Sequence, residues 1–369
     1  MSDFIQGHVL KINAAGNSNR DDSGRPKTMI YGKEKRARHS SQAVKRLIRC
    51  SDIFQESLEN NLGTRSKYHG RTLIKYLLNK DVALLKAISL ARSITENIGA
   101  LVHTIKSQKS IEKYITEQKE KNSDFNELEL ADIQQLVFLS HSEAEKIYKL
   151  LDTLISEDRD IEKKDFNFLS TDITSVDIAM FGRMLASRPE YNIEGAVQVS
   201  HSFSVNKGMI EDDFFAAVDD LNEEVDHSGS GFIGESNFTS GVFYTYFCIN
   251  KTLLVKNLNG NEALANKSIK AFIEAIATTT LTGKQNSFAS RYYADYLLLE
   301  KGKQSPRQLS GAFLKTIESN NMILTAIEHL ETYRNNMNRV YGSCCDDSIV
   351  MNVQEGKGSL SEVLDFAVE

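Results

Sequence analysis

The run from Asn19 to Arg49, NRDDSGRPKTMIYGKEKRARHSSQAVKRLIR, holds ten Lys and Arg against three Asp and Glu. The run carries +7 in a chain of −6, so the other 338 residues sum to −13. Dense cations hold polyanions, and confining them to one stretch confines that attraction to one place. Within the run, Lys45, Arg46 and Arg49 recur at one-turn spacing with Gln42 beside them. Ser40 or Ser41 stands where a helix would be capped, so this end joins three cations to the free backbone N–H donors of a helix N-terminus. Such a face suits phosphates. A solvated basic helix face is the alternative that composition leaves open.

Two other groupings could do chemistry. Eight carboxylates lie from Glu211 to Asp226, with His227 beside them. Hard cations take oxygen ligands, but this spacing fits no EF-hand pattern, and a solvated acidic hairpin is the simpler reading. Asp21 and Asp22 follow the first predicted strand, and their cationic neighbours suggest that Asp21 pairs with Arg20 or a lysine. There is no Walker A loop, no HExxH, no GxSxG and no His–Asp metal doublet, and the eight histidines are scattered. No metal and no cofactor are expected, while the position of Asp21 and Asp22 on the loop after the strand leaves a nuclease open at this point. Cys50, Cys248, Cys344 and Cys345 show no CxxC spacing and read as reduced thiols. With no run of 18 apolar residues and no charged, cleavable leader, the chain is expected to be soluble and cytoplasmic, with no membrane partner.

The elements that must position these residues follow from periodicity. Phe4–Asn13 reads as a first strand, followed by a long loop from Ala14 to about His39. In SSQAVKRLIRC a step of 100° per residue gathers Gln42, Lys45, Arg46 and Arg49 within about 100°. Ala43, Val44, Leu47 and Ile48 fall on the opposite side. From about Glu56 to Ala186 the texture is helical. Strand texture returns at Ala196–Val205 and Gly241–Val255, then a helix at Glu262–Thr279, a strand in Tyr292–Glu300, and helices near Leu309–Glu331 and Ser361–Ala367. Without the helical block the order is β, α, β, β, α, β, the split βαβ order of ferredoxin-like folds.

Several motifs occur in order: HVLKINAAGNSNRDDSGRPKTMIYGKEKRARHSSQAVKRLIR, DIAMFGRMLAS, EGAVQVSHSF, FFAAVDDLN, FTSGVFYTY and GKQNSFA. Together they resemble the CasC family, the repeated backbone subunit of the type I-E CRISPR surveillance complex, Cascade. The resemblance covers the first 60 residues and about Asp177–Tyr296. It implies an α+β fold with a ferredoxin-like, RRM-like palm, a large helical finger insertion and a β-hairpin-like thumb insertion. The expected boundaries are residues 1–57 for the first part of the palm, 58–195 for the finger, 196–206 for a palm strand, 207–240 for the thumb and 241–369 for the rest of the palm.

The function implied is that of a non-catalytic subunit that polymerises along CRISPR RNA and kinks it at regular intervals. It presents the guide for pairing with target DNA, so that base pairing supplies the sequence specificity. The implied partners are CRISPR RNA, target DNA through the guide heteroduplex, other copies of the chain and other Cascade subunits. Carried over by motif, Lys27 joins Ser40, Gln42, Lys45, Arg46 and Arg49 on the guide backbone. Met184, in an intact GRM, lies against guide bases, although alone it reads as core. Phe214, Phe215 and Val218 match the apolar tip of the thumb, against a hydrophobic staple within the hairpin as the alternative. Arg20, Lys33, Lys35, Arg36 and Arg38 add general attraction. The chain departs from the family at Phe203–Asn206, at Thr245 and at Phe247, and Phe214 replaces a Trp or Tyr. Two other readings remain: an RNA-guided nuclease subunit of the type III kind using a loop aspartate, and a protein scaffold whose basic block meets an acidic partner.

Overall fold

The computed structural model describes residues 3–105, 107–172, 174–217 and 232–369. Val218 and the carboxylates from Asp219 to Asp226 lie outside the described residues, as do His227, Gly229 and Gly231. The chain divides into two compact units, one of Met1–Ser57, Val197–Leu253 and Ala263–Glu369, the other of Leu58–Ala196 and Leu254–Glu262. No helix among the described residues is long and apolar enough to cross a membrane.

Along the chain, β1 (Phe4–Gly16), β2 (Thr28–Tyr31) and β3 (Glu34–His39) come first, and β4 (Thr64–Ser66) and β5 (Val137–Leu139) lie in the helical unit. Then follow β6 (Val197–Val199), β7 (Ser202–Ser204), β8 (Glu211–Ala217), β9 (Phe232–Asn250), β10 (Tyr296–Gly302) and β11 (Asp347–Asn352). The fold is α+β, and the main sheet runs β11-β10-β1-β9-β7-β3-β2, with β6 and β8 also paired to β9. Every pairing is antiparallel.

Strand β1 lies between β9 and β10, with Val9 opposite Thr245 on one side and Leu297 on the other. A central strand covered on both faces has no solvent side, which is why Ile5 to Leu10 form an unbroken buried run. On one face Leu10, Tyr244, Tyr296 and Leu298 pack with Phe313, Ile323, Ala326 and Leu330, the last three from the Met322–Tyr341 helix. On the other, Phe247 meets Phe272 of the Glu262–Thr278 helix edge to face at 5.2 Å. Gly7 is required here, because a Cβ would stand 2.1 Å from the Phe247 ring.

Local corrections to the sequence reading have local causes. The stretch expected as loop to His39 contains the β2–β3 hairpin, turned by Gly32 and Lys33 at φ 61° and 71°. Two consecutive positive φ values suit a tight hairpin turn, and the charged EKRARH concealed the strand. The expected strand at Ala196–Val205 breaks into β6 and β7 around Ser200 and His201. Strand β9 stops at Asn250, whose side-chain oxygen accepts the Leu253 N–H at 2.9 Å, and Lys251–Asn257 is helix. The helix expected from Leu309 begins at Met322, after a short turn at Ser310–Phe313. Strand β11 went unread.

In the helical unit, the His69–Leu78, Leu84–Ile98 and His141–Ser156 helices contribute Leu73, Ile74, Ile88, Ile94, Ile147 and Leu151 to a buried core. A buried ion pair fixes one end of it. Arg183 Nη1 donates to both Glu143 oxygens at 2.8 and 2.7 Å, with the two side chains 1% and 0% exposed. Glu143 also accepts the N–H groups of Ser140 and Ser170, each at 2.9 Å. The charge is thus enclosed by donors, the condition under which a buried pair is tolerated.

Candidate nucleic-acid interface

The Ser41–Arg49 helix forms where the sequence predicts it. Ser40 is the N-cap, its Oγ accepting the Ala43 N–H at 3.3 Å, while its own N–H donates to Asn19 Oδ1 at 2.8 Å. Val44 and Ile48 are buried; Gln42 and Arg46 are exposed, and Lys45 and Arg49 are half-buried. Burial lowers the Lys45 amine from its ordinary pKa.

The free N–H donors expected at this terminus need correction. Ser41 N donates to His201 Nδ1 at 3.2 Å and Ala43 N is taken by Ser40, leaving the Gln42 N–H without a partner among the described residues. This end therefore presents side-chain donors more than backbone N–H groups. His201 Nδ1 also meets Arg38 Nη1 at 3.1 Å. Burial, then the charges of Arg38 and Lys27, lower the His201 pKa, so its ring stays neutral and accepts. Lys27 is half-buried, and its carbonyl accepts the Arg38 N–H at 2.8 Å. Lys27, Arg38 and the helix are in this way tied to one patch through His201 and Ser41.

Other cations of the block have different duties. Arg36 is fully buried, donating to the carbonyls of Ser204 (3.0 Å), Val205 (2.7 Å) and Phe313 (2.9 Å), so it braces the sheet and adds no surface charge. Arg25 reaches Asp212 at 3.2 Å and Asn237 at 3.3 Å at the base of the β8–β9 hairpin. Asp21 pairs with neither Arg20 nor a lysine. Its Oδ1 accepts from Ser23 Oγ at 2.7 Å and from the N–H groups of Ser23 and Arg25, both at 3.0 Å. These bonds, the Ser23 hydroxyl foremost, lower its pKa and make it the pivot of a turn.

Met184 lies in the helical unit and is 80% exposed, between buried Arg183 and Leu185. It is not a core methionine: the Arg183 ion pair and the Leu185 N–H bond to Asn192 Oδ1, at 2.6 Å, hold its neighbours inward. Phe214 and Phe215, on β8, are 72% and 46% exposed, so Phe214 is no internal staple. Val218 lies outside the described residues. No group of three or more His, Cys, Asp or Glu that could hold a metal occurs among the described residues.

One feature next to the candidate site was absent from the sequence reading. Arg46 lines a cavity of about 830 Å³ together with Ser18, the Thr278–Gly283 loop, Arg291 and Tyr293. The signal available was a run of hydroxyls, TTTLTG, followed by RYY, but these residues are far from Arg46 in sequence. Beneath the loop, Lys11 Nζ donates to Thr279 O at 2.8 Å, and burial lowers its pKa to about 7. His39 stacks flat on Phe243 at 4.5 Å, and burial with the Lys11 charge lowers it to about 4.

The family described as CT1975-like protein matches residues 5–366. Among solved structures, a chain described as "CRISPR RNA-guided surveillance complex, pre-nicking" is 26% identical, covers 99% of each chain and superposes with a TM-score of 0.82. A second, described as "CRISPR RNA-guided surveillance complex", is 24% identical over 99% of this chain and 98% of that one, with a TM-score of 0.58, a likeness of fold. No curated protein matches.

Proposed function

The chain belongs to the CT1975-like protein family and is CasC-like, and from that premise we propose that it is a CRISPR RNA-binding backbone subunit of a Cascade-type surveillance complex. The end-to-end likeness to a chain of an RNA-guided surveillance complex carries this reading. In it, Lys27, Gln42, Lys45, Arg46 and Arg49 hold guide phosphates, with Ser40 fixing the helix start beside them. Met184 and Phe214, both apolar and exposed, pack against bases, a role assigned to Phe215 and Val218 as well; aromatic contact of this kind is indifferent to sequence.

The finer proposal is a type I-E backbone subunit that polymerises along the guide, kinks it and presents it to target DNA, with the other Cascade subunits as partners. The strand order β10-β1-β9-β7 supports a ferredoxin-like palm, because β9 separates β1 from the strand reached through the Ser41–Arg49 helix. The helical residues 58–195 correspond to a finger and residues 207–240 to a thumb. Asp21 Oδ1 holds a turn, which favours binding over cleavage.

Replacing Lys45, Arg46 and Arg49 together by Glu tests the phosphate face. The wild-type protein is expected to purify with RNA, read as a raised 260/280 nm absorbance ratio, and to lose it steeply as salt rises. The variant should stay folded and come free of nucleic acid; full RNA retention would refute the face. Cleavage of complementary RNA that Asp21→Ala abolishes would replace this reading with the nuclease one.

A further inference from the structure

We infer that the cavity beside Arg46 extends the helix face: it takes one further nucleotide of single-stranded RNA, the phosphate on Arg291 and Arg46 and the base against Tyr293. The inference rests on the reading that the Ser41–Arg49 helix holds an RNA backbone. Arg46 belongs to both places, being exposed on the helix and part of the cavity wall. A strand held on the helix is therefore delivered to the cavity mouth.

Positive charge is in excess in the cavity. Arg291 is exposed, and its guanidinium has no partner among the described residues; Arg46 Nη1 reaches only Cys50 Sγ at 3.7 Å. A single carboxylate, Asp52, lines the wall. In a chain with a formal charge of −6, two guanidinium groups that share one concavity with a single carboxylate, and form no ion pair with it, suit an anion brought from outside. Tyr293 is 70% exposed in the same wall. Guanidinium groups and an exposed ring lining one cavity are the combination that holds backbone and base together without reading sequence. The hydroxyls of Ser18, Thr280 and Thr282 add donors and acceptors suited to ribose and phosphate. The volume lies within the range of small-ligand sites, about 300–1,000 Å³.

The wall is also built in advance. A Cβ on Gly283 would stand 2.4 Å from the Ser18 carbonyl oxygen, so the loop and the end of β1 meet at backbone distance. Gln285 Nε2 donates to Leu281 O at 2.7 Å and Ser290 O at 2.8 Å, tying off both ends of the turn. Lys11 pins Thr279 from below. A site held in shape by the protein pays less ordering entropy when its ligand arrives.

The test is fluorescence anisotropy of the full chain with a mixed-sequence, dye-labelled single-stranded RNA, titrated across salt concentrations. Arg291→Ala is expected to weaken binding about ten-fold and to make the log–log salt slope shallower by about 0.7, the loss of one phosphate contact. Tyr293→Ala should weaken binding about five-fold or more with the slope unchanged, and Tyr293→Phe should bind as wild type. Lys45→Glu reports on the helix face separately. Wild-type affinity and slope in both Arg291→Ala and Tyr293→Ala, with RNA lost in Lys45→Glu, overturns the cavity and leaves the helix face standing. Wild-type binding by Lys45→Glu overturns the helix face, and this extension with it.

Discussion

Lys11 and His39 line the same small cavity under the Thr278–Gly283 loop, and each is held away from its charged form. Unfolded, Lys11 takes a proton at 10.5; folded, at about 7, because burial penalises the cation. Between these values the unfolded chain binds more protons, so stability rises with pH. For His39 the values are 6.5 and about 4, so stability falls as pH drops through that window. Buried His8, also lowered, acts in the same direction. Urea midpoints should climb from pH 7 to about 9 in the wild type, and Lys11→Met should flatten that limb. A limb left unchanged in the variant would show that the Lys11 amine is not the group responsible. Arg36 shows how far residue type underdetermines role: within one basic run, its guanidinium serves three backbone carbonyls while Arg46 lies open.

Among the elements, the helix face was legible because its information is local. Nine residues, a serine cap and a 100° step suffice to separate Val44 and Ile48 from Gln42 and Arg46. The segment around Met184 was not legible. Its outward direction depends on Arg183 reaching Glu143, 40 residues earlier, and no periodicity within GRML encodes that. Removing one partner of this pair leaves the other charge buried and alone. Glu143→Ala is therefore expected to cost about 3–5 kcal/mol of stability, seen as a lowered unfolding midpoint. Met184→Ala, at an exposed position, should leave that midpoint unchanged while weakening RNA binding. A destabilised Met184→Ala would mean that the side chain is packed after all.

At the scale of the whole molecule, the proposed function places several copies on one guide, which would make the RNA part of the scaffold. Purified assemblies should contain one uniform, repeat-flanked RNA species, and ribonuclease treatment should reduce their mass on light scattering. An assembly that keeps its size after complete RNA digestion would point to a protein-only scaffold. The amino-acid sequence by itself determined the basic stretch and its cationic helix, the helical block and the ordered motifs of a CasC-like chain. Each depends on near neighbours or on residue identity read along the chain. Only the tertiary structure decided that Arg36 is internal, that Asp21 pivots a turn, that Met184 faces out, and that Ser18, Arg46, Arg291 and Tyr293 line one cavity. Those outcomes depend on the closure of a sheet in which residues far apart in sequence become hydrogen-bonded neighbours, as Val9 does with Thr245 and Leu297, and burial and exposure are assigned only once that closure is made.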